Sequence, residues 1–322
     1  MCLALNVKPF SFHLLEALQT SKGIIKEKKG WLINIKNSTG NYGWGEVSPL
    51  SSSERVICEE LLKRLSHGTS RHELEQNLAM WPKALAFGIG SALGELDGLI
   101  GLNSNEGWLK APPSAILLPS NQVILSKIDY LVENQKTKKH PLSLKWKISI
   151  DSQKEEEALL FEILERLPKN ARLRLDANAG LNRLQAQEWA KHFLKEPRLE
   201  WFEQPLPAND LEGLWELAKQ IPVALDESLL TEPSLRNIWP HWQVRRPMME
   251  GDPRILLKEL EEGVGLRVLS TTFETGIGLR WIHHLAALQQ KGPTPTAPGL
   301  APGWCPDGPL FNSDPKSVWE AA

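Results

Sequence analysis

The chain has 322 residues, 41% of them apolar, with 37 basic and 39 acidic side chains and a formal net charge of −2, which gives no electrostatic case for nucleic acid or an anionic membrane. Three scattered cysteines, Cys2, Cys58 and Cys305, argue against a disulfide framework or a zinc knuckle and fit a reducing cytoplasm. Apolar runs stop well short of the roughly 20 residues of a membrane span, and Lys8 and Pro9 interrupt the N-terminal apolar stretch, making it a poor signal peptide.

Residues 1–50 read as strands, with 31–35 and 42–47 flanking the hairpin loop Asn37-Ser38-Thr39-Gly40-Asn41. The stretch 18–23, containing Thr20 and Ser21, is polar and holds Gly23; composition alone makes it a solvated loop. Ser51 and Glu54 have the spacing of a capping box, opening a helix that runs to Gly68. A second helix is predicted over 70–79 and a third over 82–99, with Pro82 in its first turn and a small-residue run from Ala84 to Ala92 for close packing. The segment 103–107 is a polar boundary, dividing the chain into an α+β domain at 1–105 and a second domain at 106–322.

From Ser114 onward, short apolar runs alternate with helical patterns, the sign of a parallel sheet. Strands are predicted at 114–118, 144–148, 173–178, 201–205, 223–228, 243–247 and 266–272, with a short irregular one near 296–300. Helices are predicted near 122–134, 153–167, 182–195, 209–220 and 277–290. The basic run from Lys136 to His140 reads as solvated surface, His283-His284 as surface or core histidines, and the Pro-, Gly- and Trp-rich tail from Ala301 as lying along the first domain.

The chemistry concentrates in Leu144-Lys145-Trp146-Lys147-Ile148 and three acidic strand ends that follow. Strand residues i and i+2 share a side, so Lys145 and Lys147 project together. Two ammonium groups side by side disfavour the charged form, so one lysine is expected to have a lowered pKa and to be able to take a proton from carbon. Asp176, Glu203 and Asp226 follow at offsets of 29, 27 and 23 residues, about one strand–helix unit each. In a parallel barrel these side chains converge on one face. Three hard carboxylates without nearby His or Cys suit an oxygen-loving divalent ion, Mg²⁺ above all, with Mn²⁺ as the alternative.

The ordered Lys-x-Lys, Asp, Glu and Asp set resembles the enolase superfamily, in the branch close to muconate cycloisomerase and, within it, the o-succinylbenzoate synthases. Supporting stretches are 43–50 (GWGEVSPL), 173–180 (LRLDANAG), 202–206 (FEQPL), 224–229 (ALDESL) and 298–300 (PGL). The resemblance spans nearly the whole chain. It implies an α/β fold, a modified (β/α)8 barrel of (β/α)7β form with an N-terminal α+β capping domain, and a C-terminal tail packed back on the cap. It implies metal ligation by Asp176, Glu203 and Asp226, Lys147 as base, Lys145 as a second cation, and a small-molecule carboxylate substrate. It also implies loss of water from a succinyl-bearing cyclohexadiene carboxylate on the way to menaquinone or phylloquinone, with residues 18–23, hence Thr20 and Ser21, closing over the substrate.

Other residues are left with two readings each. Arg174, two before Asp176, either binds a substrate carboxylate or neutralises the acidic cluster. Asn178 is a candidate polar contact; Ser270 and Thr272 share a strand face and could donate hydrogen bonds; Gly299 lies in the last strand. One departure stands out: where the family places a third lysine on strand 6, this chain has Arg246, which cannot act as a base. Arg246 argues against a two-base N-acylamino-acid or dipeptide racemase. A muconate-type cycloisomerase and a barrel that only binds a carboxylate are the remaining alternatives. Nothing in the sequence fixes an oligomeric state.

Overall fold

Spatial contacts divide the chain into two units, one made of residues 1–113, 245–265 and 269–322, the other of 114–244 and 266–268. The computed structural model describes residues 2–20, 23–101, 104–119, 123–135 and 140–322, without the side chains of 2, 17–20 and 23–24. Ser21, Asn103 and most of the basic run, 136–139, therefore lie outside the described residues.

The first unit carries an antiparallel sheet in the order β3-β2-β1-β4, formed by β1 (Cys2–Thr20), β2 (Gly23–Lys36), β3 (Tyr42–Val47) and β4 (Thr69–Ser70). Phe10, Phe12 and Leu14 alternate inward along β1, the period-2 pattern of a half-buried strand. The stretch 18–23 departs from the loop expected of it. Leu18 pairs with Ile25 and Thr20 with Gly23, so β1 and β2 stay paired as far as those two residues. The predicted loop at 37–41 is closed by Asn37, whose Oδ1 accepts the backbone N–H of Thr39 at 3.1 Å and of Asn41 at 3.0 Å.

Three helices follow, Ser52–Ser66, Arg71–Asn77 and Lys83–Leu96. The capping box at Ser51 forms only by half: Ser51 accepts the Glu54 N–H, while the Glu54 carboxylate caps Ala84 N at the start of the third helix. The small-residue run brings that helix onto β3, where a Cβ on Gly45 would lie 2.0 Å from the Gly88 carbonyl oxygen. The same unit holds the helices Pro253–Glu261, Gly276–Lys291 and Pro315–Ala321. The tail runs along the sheet: Lys8 Nζ donates to Trp319 O at 2.7 Å, and Phe311 meets Phe12 edge-on with centroids 4.9 Å apart. His284 is a core histidine, its Nδ1 accepting the Leu109 N–H, and burial pushes its pKa down to about 4.

The second unit is built on a curled sheet in chain order: β5 (Ile116–Leu117), β6 (Ser143–Lys147), β7 (Arg172–Asp176), β8 (Leu199–Glu203), β9 (Val223–Leu225), β10 (Trp242–Arg245) and β11 (Arg267–Leu269). Pairing from β5 to β10 is parallel throughout. The helices Val123–Gln135, Gln153–Arg166, Arg183–Phe193 and Leu211–Ala218 lie between strands. Leu144, Trp146, Leu173, Leu175, Phe202 and Val223 pack outward on those helices, and Trp201, Ala224, Val244 and Val268 form a separate inner cluster. This in-and-out alternation is that of a barrel-type α/β sheet, with the N-terminal α+β sheet as expected. Strand 7 is shorter than predicted, ending at Leu269 with a single further bridge from Ser270 to Gly299, where the irregular last strand was expected.

Candidate active site

Parallel register gathers the acidic strand ends. Lys147 pairs with Asp176 across β6 and β7, and Asp176 pairs with Glu203 across β7 and β8. Glu203 pairs with Ala224, so Asp226 lies just past the end of the next strand. Asp176, Glu203 and Asp226 are all buried. Lys145 Nζ sits between the first two, 2.7 Å from Asp176 Oδ2 and 2.5 Å from Glu203 Oε1. Lys147, two residues on, makes no hydrogen bond or ion pair through its ammonium among the described residues, and its side chain is half-exposed. The two lysines are thus distinct: one is locked into the carboxylates, the other left available for chemistry.

Burial raises the pKa of Glu203, and the neighbouring charges of Asp176 and Asp226 add to the rise, against the opposing pull of Lys145. Asp176 Oδ1 accepts the Asn178 N–H at 2.9 Å; its buried Oδ2 faces Lys145 without an aligned hydrogen-bond donor. Among the described residues no three His, Cys, Asp or Glu side chains stand gathered as a finished metal cage, the Lys145 ammonium occupying the space between Asp176 and Glu203. The donors nonetheless suit a hard divalent cation: they are oxygen-only, buried and mutually repelling, and one oxygen lacks an aligned partner.

Arg174 is committed elsewhere. A bulge in β8 opposes Arg174 to Trp201; its Nε donates to Glu200 at 2.7 Å and its guanidinium lies 4.0 Å from the Trp201 ring centroid. Asn178 is exposed, with a left-handed φ of 43°, and its amide donates to Glu227 at 3.3 Å.

The remaining predicted residues belong to the other unit and are placed as follows. Arg246 follows β10 directly and precedes Pro247; its N–H donates to Glu250 and its Nη1 donates to Thr271 O at 3.1 Å. Its neighbour Arg245 is fully committed to Glu250 and Glu259. Ser270 Oγ donates to Gly299 O at 3.3 Å. Thr272 donates its hydroxyl to Glu274 at 2.6 Å. The shared strand face expected of Ser270 and Thr272 does not exist, because β11 has ended and the chain turns. The backbone of Thr20 closes the β1–β2 hairpin, while its side chain, like Ser21 as a whole, lies outside the described residues.

A family model described as "Enolase C-terminal domain-like" matches residues 133–240, the stretch holding both lysines and all three carboxylates. Over that stretch the chain is similar to the enolase superfamily. It is 28% identical over 295 residues to the o-succinylbenzoate synthase of Thermosynechococcus vestitus, covering 84% of this chain and 85% of that one. Against the o-succinylbenzoate synthase of Enterobacter sp. (strain 638) the identity is 26% over 291 residues, covering 86% and 83%. The crystal structure of o-succinylbenzoate synthase from Thermosynechococcus elongatus BP-1, complexed with Mg in the active site, superposes with a TM-score of 0.82 at 25% identity over 99% of this chain and 100% of that one. The L-Ala-D/L-Glu epimerase from Bacillus subtilis shares the fold, with a TM-score of 0.71 at 20% identity, covering 94% and 90%.

Three supporting residues carry no signal in the spacing of the sequence. Gln204, buried at a φ of 34°, accepts the N–H groups of Asp226 and Ser228 on one oxygen, at 3.1 and 3.0 Å, fixing the backbone that carries the third carboxylate. Glu156 accepts the N–H groups of Ser149, Ile150 and Asp151, anchoring the loop beyond Lys147. Glu274 binds the turn after β11.

Proposed function

We propose that this chain is an o-succinylbenzoate synthase, catalysing Mg²⁺-dependent loss of water from 2-succinyl-6-hydroxy-2,4-cyclohexadiene-1-carboxylate in menaquinone or phylloquinone biosynthesis. The carrying observation is the row Lys147, Asp176 and Glu203, in register on adjacent strands. The proposal takes residues 1–105 as the cap and 106–322 as the barrel. Asp176, Glu203 and Asp226 would hold the ion, which when bound supplies positive charge to the substrate carboxylate.

Lys147 takes the proton from the carbon next to the carboxylate, and the C–H electron pair moves into the ring system. The C–O bond then breaks, hydroxide departs on the same face, and Lys147 returns the proton to it, releasing water. No oxidation or reduction is involved, and the aromatic product makes the elimination favourable. Lys145 holds Asp176 and Glu203 in place and adds positive charge; Arg246 contributes a second, fixed cation. Asn178, Ser270, Gly299, Thr20 and Ser21 are the proposed substrate contacts. The Thr272 hydroxyl is turned to Glu274, and we assign Arg174 to the Glu200 and Trp201 contacts that hold β8.

A one-base site predicts one-sided proton exchange. In deuterium oxide with Mg²⁺, the native protein should exchange the α-proton of only one enantiomer of an N-succinyl amino acid. Rapid exchange of both hands would replace this reading with a racemase.

A further inference from the structure

The turn after β11 is built around one buried carboxylate. Glu274 is 1% exposed. Its Oε1 accepts the Thr272 N–H at 3.0 Å and the Thr272 hydroxyl at 2.6 Å, and its Oε2 accepts the Thr271 hydroxyl at 2.5 Å. Thr271 Oγ1 in turn accepts the Phe273 N–H at 2.8 Å. Phe273 stands at a φ of 65°, a left-handed conformation that is strained for a bulky residue and persists only where its surroundings impose it. Glu274 and the two threonines supply that imposition. The turn so fixed presents the Thr271 carbonyl oxygen to Arg246 Nη1 at 3.1 Å. The Thr271 N–H, on the opposite side of that residue, is held by Gly299 O at 3.1 Å.

The carboxylate is itself set in a buried charge cluster. Lys28, 1% exposed, donates to Ser48 O at 2.7 Å. Ser48 donates to Glu46 Oε1, and Glu46 Oε2 accepts the N–H groups of Thr275 and Gly278, capping the helix Gly276–Lys291. Burial lowers the pKa of Lys28, and the charges of Glu274 and Glu46 oppose that fall. A cation that serves no surface role is thus retained inside the protein opposite two carboxylates. One of these caps a helix; the other shapes the Thr271–Phe273 turn.

We infer that Glu274 is the positioning residue for Arg246, acting through Thr271 to hold the guanidinium in its working orientation. The inference rests on the reading of Arg246 as a fixed cation of the dehydration site. Glu274 touches no reacting atom in this account, so removing its charge should matter only while Arg246 is present.

The test is a double-mutant cycle on the Mg²⁺-loaded full chain, reading kcat for dehydration together with the melting temperature. Arg246→Met should lower kcat by about 10²–10³-fold, the usual effect of removing one preorganised charge donor. Glu274→Gln should lower kcat by about 10–10²-fold with KM little changed, while the double variant stays within about threefold of Arg246→Met alone. Thr271→Val, which leaves the carboxylate in place, should repeat the pattern and supplies the cycle if the Glu274 variant does not fold. Losses that multiply in the double variants would overturn the positioning role while leaving Arg246 in its own. Native turnover in both Glu274→Gln and Thr271→Val would also overturn it. Native turnover in Arg246→Met alone would remove the parent reading of Arg246 and this inference with it.

Discussion

At the scale of residues, the two lysines of one strand do different work because of what surrounds each. Lys145 is bound by two buried carboxylates, whereas Lys147, beside Asp176 in register, is the proposed base and must present a neutral amine to the substrate. Lys147→Ala should therefore lose several orders of magnitude in dehydration rate, since general acid–base catalysis contributes about 10²–10⁴ at each step it serves. Lys145→Ala should also be severely impaired, and should in addition weaken the register of Asp176 and Glu203. Steady-state kinetics on purified variants decide this; near-native turnover in Lys147→Ala would show that another group is the base. The carboxylates and lysines were legible because their spacing repeats the strand–helix unit. Gln204, Glu156 and Glu274 were not, because their partners are backbone N–H groups in turns at positive φ, at Ser149, Gln204 and Phe273, and no hydropathy period encodes such turns.

At the scale of elements, the long, strongly periodic helices were read close to their observed limits; Gln153–Arg166 and Gly276–Lys291 are examples. Short ones were missed. The helix Pro253–Glu261, absent from the predicted elements, begins with Asp252 as N-cap and Pro253 in the first turn, a start signal that the sequence carries. Strand 7 was drawn too long because Thr271 and Thr272 favour strands by composition, whereas a single buried Glu274 diverts both hydroxyls into a turn. The capping box at Asn182 and Gln185, complete in both directions, should be worth measuring: Asn182→Ala is expected to cost about 1 kcal/mol of stability in urea unfolding. A cost near zero would mean that tertiary packing, and not the cap, sets the start of that helix.

At the scale of the whole molecule, composition already pointed away from nucleic acid and anionic surfaces, and no helix of the described residues is long and apolar enough to cross a membrane. The alternation of short apolar runs with amphipathic helices made the parallel sheet legible. The grouping of residues 245–265 with the N-terminal segment was not, since it depends on long-range packing such as the Arg254–Glu75 ion pair. In the proposed reaction, three buried carboxylates and Lys147 perform a metal-dependent dehydration. The direct measurement is the rate at which purified protein converts 2-succinyl-6-hydroxy-2,4-cyclohexadiene-1-carboxylate to o-succinylbenzoate, with Mg²⁺ and after chelation. Turnover is expected in the ordinary enzyme range, about 1–10³ s⁻¹, collapsing to background when the metal is removed and returning when Mg²⁺ is restored. A folded, Mg²⁺-supplied protein that leaves this substrate unchanged, or one that converts it equally well after chelation, would contradict it.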